Sequence, residues 1–489
     1  MADQSAERVR TASLLALVTL SIVARLWLVF HRPIWHDEAF TEWAARLPTP
    51  ALLSALRQDS GPPLFYVLER PLARSVSSPR NEWLPRLLPF TATLLLLAAV
   101  RTLPPGPARR WWIVLCSSYA LVNLYAAEAR AYALLGLASL AVFLLAGVLP
   151  ESPRARWGLL FAAITALWLH YLAFFTVASA LAVALAGRRF RSALVLLAAL
   201  AAFVPWLPVL RTQPPEAMAW MRETPGAAAS GFVSALGGVG RIPAPFGIAP
   251  TAATLAGLFL GAALAALLVT VARSDEGVRN AVLFVAVALG LALAVTLWRP
   301  VAFAGRAEMA VLPVWMWAAA RAAGRNRPAA VAAGLAAAAG GLATLAVVLG
   351  PHPRSTPSSA AASVARLARP ADTVLAGPGF YLPALVEAGR GRLSARVLAL
   401  PQGDAAHPGW FVAWPLSPDD VRRATDAAAA VGSGRLYLLL PPAYNQPALM
   451  DPLTRSGTLR ELVRQPDGVL TVWSGPPRRP TGEAPTSLR

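Results

Sequence analysis

The sequence predicts a polytopic α-helical membrane protein that ends in a small extracytoplasmic α/β domain, and three observations predict it. Of 489 residues, 56% are hydrophobic and only 14% charged, whereas a soluble chain carries about a quarter charged residues; the mean hydropathy is +0.52. The apolar residues fall into runs long enough to cross a hydrocarbon core of ~30 Å. Beyond about residue 350 these runs give way to short strand-like stretches alternating with helical ones. An ordinary cytosolic globule is thereby excluded, and the lack of alternating segments of about ten residues excludes a porin-type barrel.

Hydropathy places about eleven spans, near 11–30, 86–103, 111–126, 131–149, 157–170, 172–187, 191–210, 250–271, 280–298, 307–321 and 329–350. The first is too long for a signal-peptide core and lacks a convincing cleavage site, so it is read as an anchoring helix. The formal charge of +19 comes from 44 basic residues, all arginine, against 25 acids. Such a surplus can mark a nucleic-acid binder. Here, however, many arginines sit in alternate short turns: Arg8 and Arg10, Arg101 to Arg110, Arg154 and Arg156, Arg188 to Arg191, Arg273 and Arg279, Arg321 to Arg327. By the positive-inside rule this puts the N-terminus in the cytoplasm and, after an odd number of spans, the C-terminal segment outside. The single cysteine, Cys116, lies in an apolar run, so no intrachain disulfide forms and thiolate-held metal is not supported.

The domain reading is a membrane domain over 1–350 with extracytoplasmic loops at 31–85 and 211–249, a soluble α/β domain over 351–475, and a disordered tail over 476–489. The first loop mixes Trp35, Trp43, Phe65, Tyr66 and Trp83 with acids and arginines, which suits short amphipathic helices at the interface. The second loop, rich in Pro and Gly, reads as a mobile flap, and Gly237-Gly238-Val239-Gly240 within it as loop flexibility. In the outer domain the strand-like runs are 373–376, 396–400, 409–414, 436–440 and 469–473, and Gly377-Pro378-Gly379-Phe380-Tyr381 reads as a turn before a helix. No internal repeat is evident, which weighs against inverted-repeat transporters.

The most informative stretch is Trp35-His36-Asp37-Glu38, just after the first span ends. Two adjacent carboxylates near the apolar boundary are costly unless paired, solvated or used. Desolvation raises a carboxyl toward the range of a general base, whereas a neighbouring arginine lowers it. Acids at the positive end of a helix are the structural alternative. Downstream come Asp59-Ser60-Gly61-Pro62-Pro63-Leu64-Phe65-Tyr66, Arg86-Leu87, Glu128-Ala129-Arg130-Ala131-Tyr132 and His170-Tyr171. In the expected topology each lies at or near the extracytoplasmic end of a span.

Taken in order, W-x-D-E, D-x-x-P-P-L-x-Y, R-L, E-x-R-x-Y and H-Y resemble the polyprenyl-phosphate-sugar-dependent glycosyltransferases of the GT-C superfold. The likeness is to the bacterial family akin to protein mannosyltransferases and to the aminoarabinose transferase of lipid A, and it covers residues 11–325. It implies that Asp37, with Glu38 beside it, is the candidate base that activates the acceptor. It also places Glu128 and Arg130 in the same cavity. Two departures stand out. Gly61 occupies the place where the family often has His before the Pro pair, and Phe303-Ala304-Gly305-Arg306-Ala307 keeps the family's Arg while lacking the Tyr beside it.

The chemistry implied is inverting transfer of a sugar from a polyprenyl-phosphate-linked donor to an acceptor (protein, lipid or polysaccharide) on the extracytoplasmic side of a bacterial inner membrane. It needs a base, and cations for the departing phosphate. Arg130 and Arg306 are the first candidates for the cations, since guanidinium stays charged and binds phosphate oxygens through two donors. Arg86 is a ligand or a snorkelling, acid-pairing residue. Asp59 is catalytic or holds the Pro-Pro turn. Tyr66, Tyr132, His170 and Tyr171 line the cavity, or His170 caps a tight turn. No cofactor is assigned and no zincin-like spacing occurs, although an acid-lined pocket leaves room for a divalent ion. The sequence has no D-x-D or nucleotide-binding glycine pattern, and nucleic acid is not an expected partner. The alternative is a transporter or lipid flippase, which calls for ionisable groups near mid-span; Arg25 is the main one.

Overall fold

A computed structural model describes residues 2–78, 81–214, 224–240, 250–297, 305–350, 357–401, 416–431, 434–441, 447–465 and 468–474. The chain divides into two compact units: Met1–Arg32 with Ala44–Pro353, and Pro33–Trp43 with Arg354–Arg489. The second grouping differs from the boundary expected near 351, because the segment carrying Asp37 and Glu38 belongs with the C-terminal part of the chain.

The membrane unit is helical throughout its described residues. Its elements are α1 (Ala2–His31), the end of α2 (His36–Arg46), α3 (Thr49–Leu56), α4 (Leu64–Ser75), α5 (Leu87–Ala98), α6 (Pro107–Ser118), α7 (Ala120–Tyr125), α8 (Tyr132–Gly147) and α9 (Pro153–Leu169). There follow α10 (Ala173–Ala186), α11 (Phe190–Ala201), α12 (Leu207–Thr212), α13 (Pro225–Leu236), α14 (Pro250–Val271), α15 (Glu276–Thr296), α16 (Leu312–Ala323) and α17 (Arg327–Leu349). Every expected span overlaps one or more helices among the described residues. Among the described residues, six stretches are long and apolar enough to cross a bilayer: Glu7–His31, Leu84–Thr102, Phe190–Thr212, Ala252–Val271, Glu276–Thr296 and Arg327–Leu349. The chain is a multi-pass membrane protein.

The shorter helices have identifiable stops. Ser152 caps α9, its hydroxyl accepting from the Ala155 amide at 3.1 Å, and Pro153 fills the first turn. His170 takes extended backbone angles and ends the same helix. Tyr119, likewise extended, breaks the expected 111–126 span into α6 and α7. The break frees backbone carbonyls inside the bundle, and buried side chains reach them. Arg25 Nη2 donates to Cys116 O at 2.5 Å and Asn123 Nδ2 to Ser117 O at 3.0 Å, while the Thr344 hydroxyl, which donates to Gly340 O at 2.9 Å, lies 3.4 Å from Ser118 O. Arg25 Nε also donates to Asn123 Oδ1 at 2.7 Å, and Asn123 Nδ2 to Thr344 Oγ1 at 3.0 Å. This clasp of α1, α7 and α17 aims the chain that follows, which carries Glu128 and Arg130.

The expectation of a mobile flap over 211–249 does not hold for its described part. Residues 225–236 form α13, capped by the Thr224 hydroxyl, and Phe232, Ser234, Ala235 and Leu236 are buried. Nor does the glycine run that follows serve as a flexible loop: it permits close packing. A Cβ on Gly238, where φ is +92°, would lie 2.3 Å from Ala336 O, and one on Gly237 would lie 2.1 Å from Gly257 O. Gly257 and Gly261 form the small-residue stripe on α14 that lets it approach α13. Residues 215–223 and 241–249 lie outside the described residues.

Between α14 and α15, Asp275 caps α15 through Val278 N at 3.0 Å and accepts from Arg321 Nε at 2.8 Å and from Arg325. Burial works against its ionised form, but these bonds and the two arginine charges outweigh it and hold its pKa below the usual carboxylate value.

The second unit contains the first part of α2 and then α18 (Pro357–Leu367), β1 (Thr373–Ala376), α19 (Tyr381–Gly389), β2 (Arg396–Ala399), α20 (Pro418–Ala430), β3 (Arg435–Leu440), α21 (Pro447–Ser456), β4 (Thr458–Gln465) and β5 (Gly468–Ser474). The sheet order is β2-β1-β3-β5-β4, with β1 parallel to β2 and β3, and β5 antiparallel to β3 and β4. Leu436, Leu438 and Leu440 pack with α20 and α21 on one face; Tyr437 and Leu439 pack with α18 and α19 on the other. This alternation buries both faces of β3, as a sheet between two helical layers requires. Strand β4 was not expected; its arginines and glutamate suit an edge strand. The turn expected at 377–381 is present, with Gly379 at φ +85°. The run at 409–414 and the tail at 476–489 lie outside the described residues.

Candidate functional site

Within the membrane unit, three of the sequence motifs meet in one cleft, lined by Ser60, Gly61, Pro62, Phe65 and Tyr66, by Arg130 and Ala131, and by Leu169, His170 and Tyr171. The first group comes from the turn into α4, the second from the link between α7 and α8, and the third from the turn between α9 and α10. Arg130 is not on a helix: it follows a tight turn in which its amide donates to Glu128 O at 2.7 Å. Glu128 is buried at that turn.

The rim around the cleft is tied together by a chain of hydrogen bonds. Trp206 Nε1 donates to Tyr171 Oη at 2.9 Å, Tyr171 Oη donates to Gln213 Oε1 at 2.8 Å, and Gln213 Nε2 donates to Leu56 O at 2.7 Å and to Gly61 O at 3.4 Å. Gln213 and Trp206 were not singled out from the sequence; the available signal was a lone amide ahead of the Pro214-Pro215 pair. Asp59, also buried, accepts from the Ser60 amide and hydroxyl and so shapes the Pro-Pro turn. At Gly61 a Cβ would sit 3.6 Å from Tyr66 Oη, an ordinary contact, so longer side chains there would run into the cleft.

Both aromatic partners of the turn between α9 and α10 stay neutral. Burial, and then the charges of Arg130 and Arg306, push the His170 pKa down to about 3. Its Nδ1 accepts from the Leu172 amide at 3.2 Å, which leaves the proton on Nε2 as a neutral donor. Burial, with Asp59 adding, pushes the Tyr171 hydroxyl up to about 12 against the opposing bonds from Trp206 and Gln213. Tyr132 opens α8 with its ring 4.8 Å from Tyr125 and 5.2 Å from His170.

Arg306 is buried just before a short 3₁₀ turn, Ala307–Ala310. Gly305, with φ +92°, directs it there: the Gly305 amide donates to both Glu308 carboxylate oxygens at 2.7 and 2.9 Å, and its carbonyl accepts from Tyr125 Oη. Phe303 and Ala304 lie outside the described residues. Arg86 Nη1 donates to Val29 O at 2.9 Å and Arg32 O at 2.7 Å, capping the end of α1; neither Arg86 nor Arg306 is among the residues lining the cleft.

In the second unit, α2 begins at His36, so Asp37 and Glu38 occupy its first turn, where the helix dipole favours acids. Both are buried. His36 Nε2 lies 3.3 Å from Asp37 Oδ1, and Thr41 Oγ1 donates to Asp37 O at 3.1 Å. One turn on, Glu42 is buried as well and is bound by Arg390. Among the described residues no group of three or more His, Cys, Asp or Glu is arranged to hold a metal ion.

The cleft lining thus combines one guanidinium with hydroxyls and a neutral imidazole. Neither a family model nor a curated protein matches the chain. Solved structures do. ArnT from Cupriavidus metallidurans in the apo state superposes with a TM-score of 0.62 at 13% identity, covering 95% of this chain and 98% of that one. The same protein bound to undecaprenyl phosphate gives 0.61 at 13% identity, covering 94% and 98%. The chain has the fold of ArnT. The GT-C architecture implied by the five ordered motifs is therefore the one observed, and the ArnT likeness extends through the outer domain, beyond the region over which the motifs were matched.

Proposed function

We propose that the protein is a membrane glycosyltransferase that moves a sugar from a polyprenyl-phosphate-linked donor to an acceptor on the extracytoplasmic side of a bacterial inner membrane, with inversion. In this reading the N-terminus is cytoplasmic and the α/β domain extracytoplasmic. The observation that carries the proposal is the Arg130 guanidinium set with Tyr66, His170 and Tyr171 in one cleft, in a fold shared with a protein crystallised with undecaprenyl phosphate. Arg130 and Arg306, whose charges both act on His170, take the lipid phosphate as it departs. Asp37 accepts the proton of the acceptor hydroxyl or orients an amine, and Glu38 shares that turn. Glu128, Asp59, Tyr66, Tyr132, His170 and Tyr171 shape the donor and acceptor subsites.

The role of Arg25 supports an enzyme over a transporter. Its guanidinium donates to Cys116 O and Asn123 Oδ1, and only 1% of its surface is accessible, so it serves the broken helix rather than a path across the membrane. Mass spectrometry of lipid that co-purifies with the protein tests the proposal. A bound polyprenyl phosphate or its sugar ester is expected. Movement of lipid across liposomes with no glycosidic bond broken would replace the enzyme reading with the flippase one.

A further inference from the structure

The C-terminal domain has no part in the chemistry just described, yet it holds the helix that carries Asp37. Arg390 stands at the end of α19, where its amide donates to Val386 O at 3.0 Å and Gly391, at φ +70°, turns the chain back. From that turn its guanidinium forks onto Glu42 of α2: Nε donates to Oε1 at 2.8 Å and Nη2 to Oε2. Each of these two side chains is only 1% exposed. Arg390 Nη1 also reaches Glu387 Oε1 at 3.4 Å, which accepts in turn from Arg392 Nη2 at 2.7 Å.

Two carboxylates and two guanidiniums thus neutralise one another in a buried network. Burying such ions costs several kcal/mol each, and a well-packed apolar replacement is often at least as stable. What a two-bond fork adds is a defined distance and rotation between the elements it joins. Here those elements are the α19 turn and the helix whose first turn holds Asp37 and Glu38. Glu38 and Glu42 are four residues apart, on one face of α2, so fixing Glu42 fixes the rotation of the acid-bearing turn above it. The grouping of Pro33–Trp43 with the C-terminal unit agrees.

We propose that Arg390 is a positioning residue: through Glu42 the outer domain sets the orientation of α2 and hence of Asp37. This rests on the assignment of Asp37 as the base. It gives the outer domain a task in the transfer step without any contact to the reacting atoms.

The test uses the full chain in lipid nanodiscs with the co-purified class of polyprenyl-phosphate sugar supplied. Arg390→Gln and Glu42→Gln should each lower kcat about 10- to 100-fold, as loss of a charge-assisted fork implies, with the KM for donor unchanged. The double variant should be no worse than either single one. Arg390→Lys, which keeps the charge but not the fork, should remain impaired, and the exchange of Glu42→Arg with Arg390→Glu should recover part of the loss. Hydrogen exchange over residues 36–42 should quicken in Arg390→Gln while β1 and β3 stay protected. Wild-type turnover in Arg390→Gln, under conditions where Asp37→Asn is inactive, would overturn the proposal and leave the proposed function standing. So would unchanged exchange in α2, or unfolding of the exchanged pair together with both single variants. If the wild type bound no polyprenyl phosphate and transferred no sugar, the function assignment would fall, and the exchange measurement would still decide whether Arg390 holds α2.

Discussion

The cleft in the membrane unit and the first turn of α2 carry opposite chemistries. The polar part of the cleft lining is one arginine, one serine, two tyrosines and a histidine kept neutral, and no carboxylate is among the lining residues. The α2 turn presents two buried carboxylates beside a histidine. A guanidinium next to a carboxylate lowers its pKa and weakens it as a base, whereas phosphate binding demands guanidinium. In the proposed mechanism the two tasks fall to different elements. The two regions should therefore fail in different ways when altered.

The largest effect is expected at Asp37. Asp37→Asn removes the proton acceptor and keeps the shape, so kcat should fall by about 10² to 10⁴, while the amount of lipid carried through purification stays at the wild-type level. Retained turnover would remove Asp37 from the mechanism. Arg130→Ala should do the reverse. Losing charge-assisted bonds worth about 1.5–3 kcal/mol weakens donor binding about 10- to 100-fold, and the co-purifying lipid should largely disappear. A pure kcat defect with donor affinity intact would erase the distinction between the regions.

A smaller effect separates these working groups from a buried arginine that serves the fold. Asn123→Leu leaves Arg25 charged in the bundle without its 2.7 Å side-chain partner and strips Ser117 O of its donor. Removing one partner of a buried charge costs about 3–5 kcal/mol in soluble proteins, and less in membranes, where polar side chains find other partners. Arg25→Met removes the charge together with its bonds and should cost less. The melting temperature in detergent should accordingly fall further for Asn123→Leu than for Arg25→Met. The opposite order would mean that Arg25 contributes more than the clasp at the helix break.

How far these features could be read from the sequence depended on the distance over which they act. Spans, their connecting turns and the acid helix are local patterns of hydropathy and charge, and every expected span overlaps helix among the described residues. The motifs around Tyr66, Arg130 and His170 were each visible at the end of a span, and the fold brings them into one cleft. The break at Tyr119 was not legible, because no Pro or Gly marks it and the Arg25 donor to Cys116 O comes from 91 residues away. Nor was the Glu42 and Arg390 pair, which spans 348 residues. Helix α13 escaped notice because its 12 residues are too few for a span and it lies in a Pro- and Gly-rich stretch, although small residues are what close packing against α14 requires.

The smallest expected effect concerns His170, and it bears on whether the cleft holds charge or moves protons. Its pKa is depressed from 6.5 to about 3, so the folded protein keeps it neutral while an unfolded chain would take up a proton near its ordinary value. Folding stability from this group is therefore intact above about pH 6.5 and declines as the pH falls toward 3, by at most about tenfold in the folding equilibrium per pH unit. His170→Gln preserves a donor and cannot titrate, so its melting temperature should gain on that of the wild type as the pH drops from 7 to 5, and the two should run parallel above 7. The pH profile of turnover should keep its shape in this variant, because a ring that stays neutral contributes a hydrogen bond and not a proton. A profile whose acid limb moved in His170→Gln would instead make the imidazole an acid or base in the reaction, and the cleft would no longer be the region that only holds the donor.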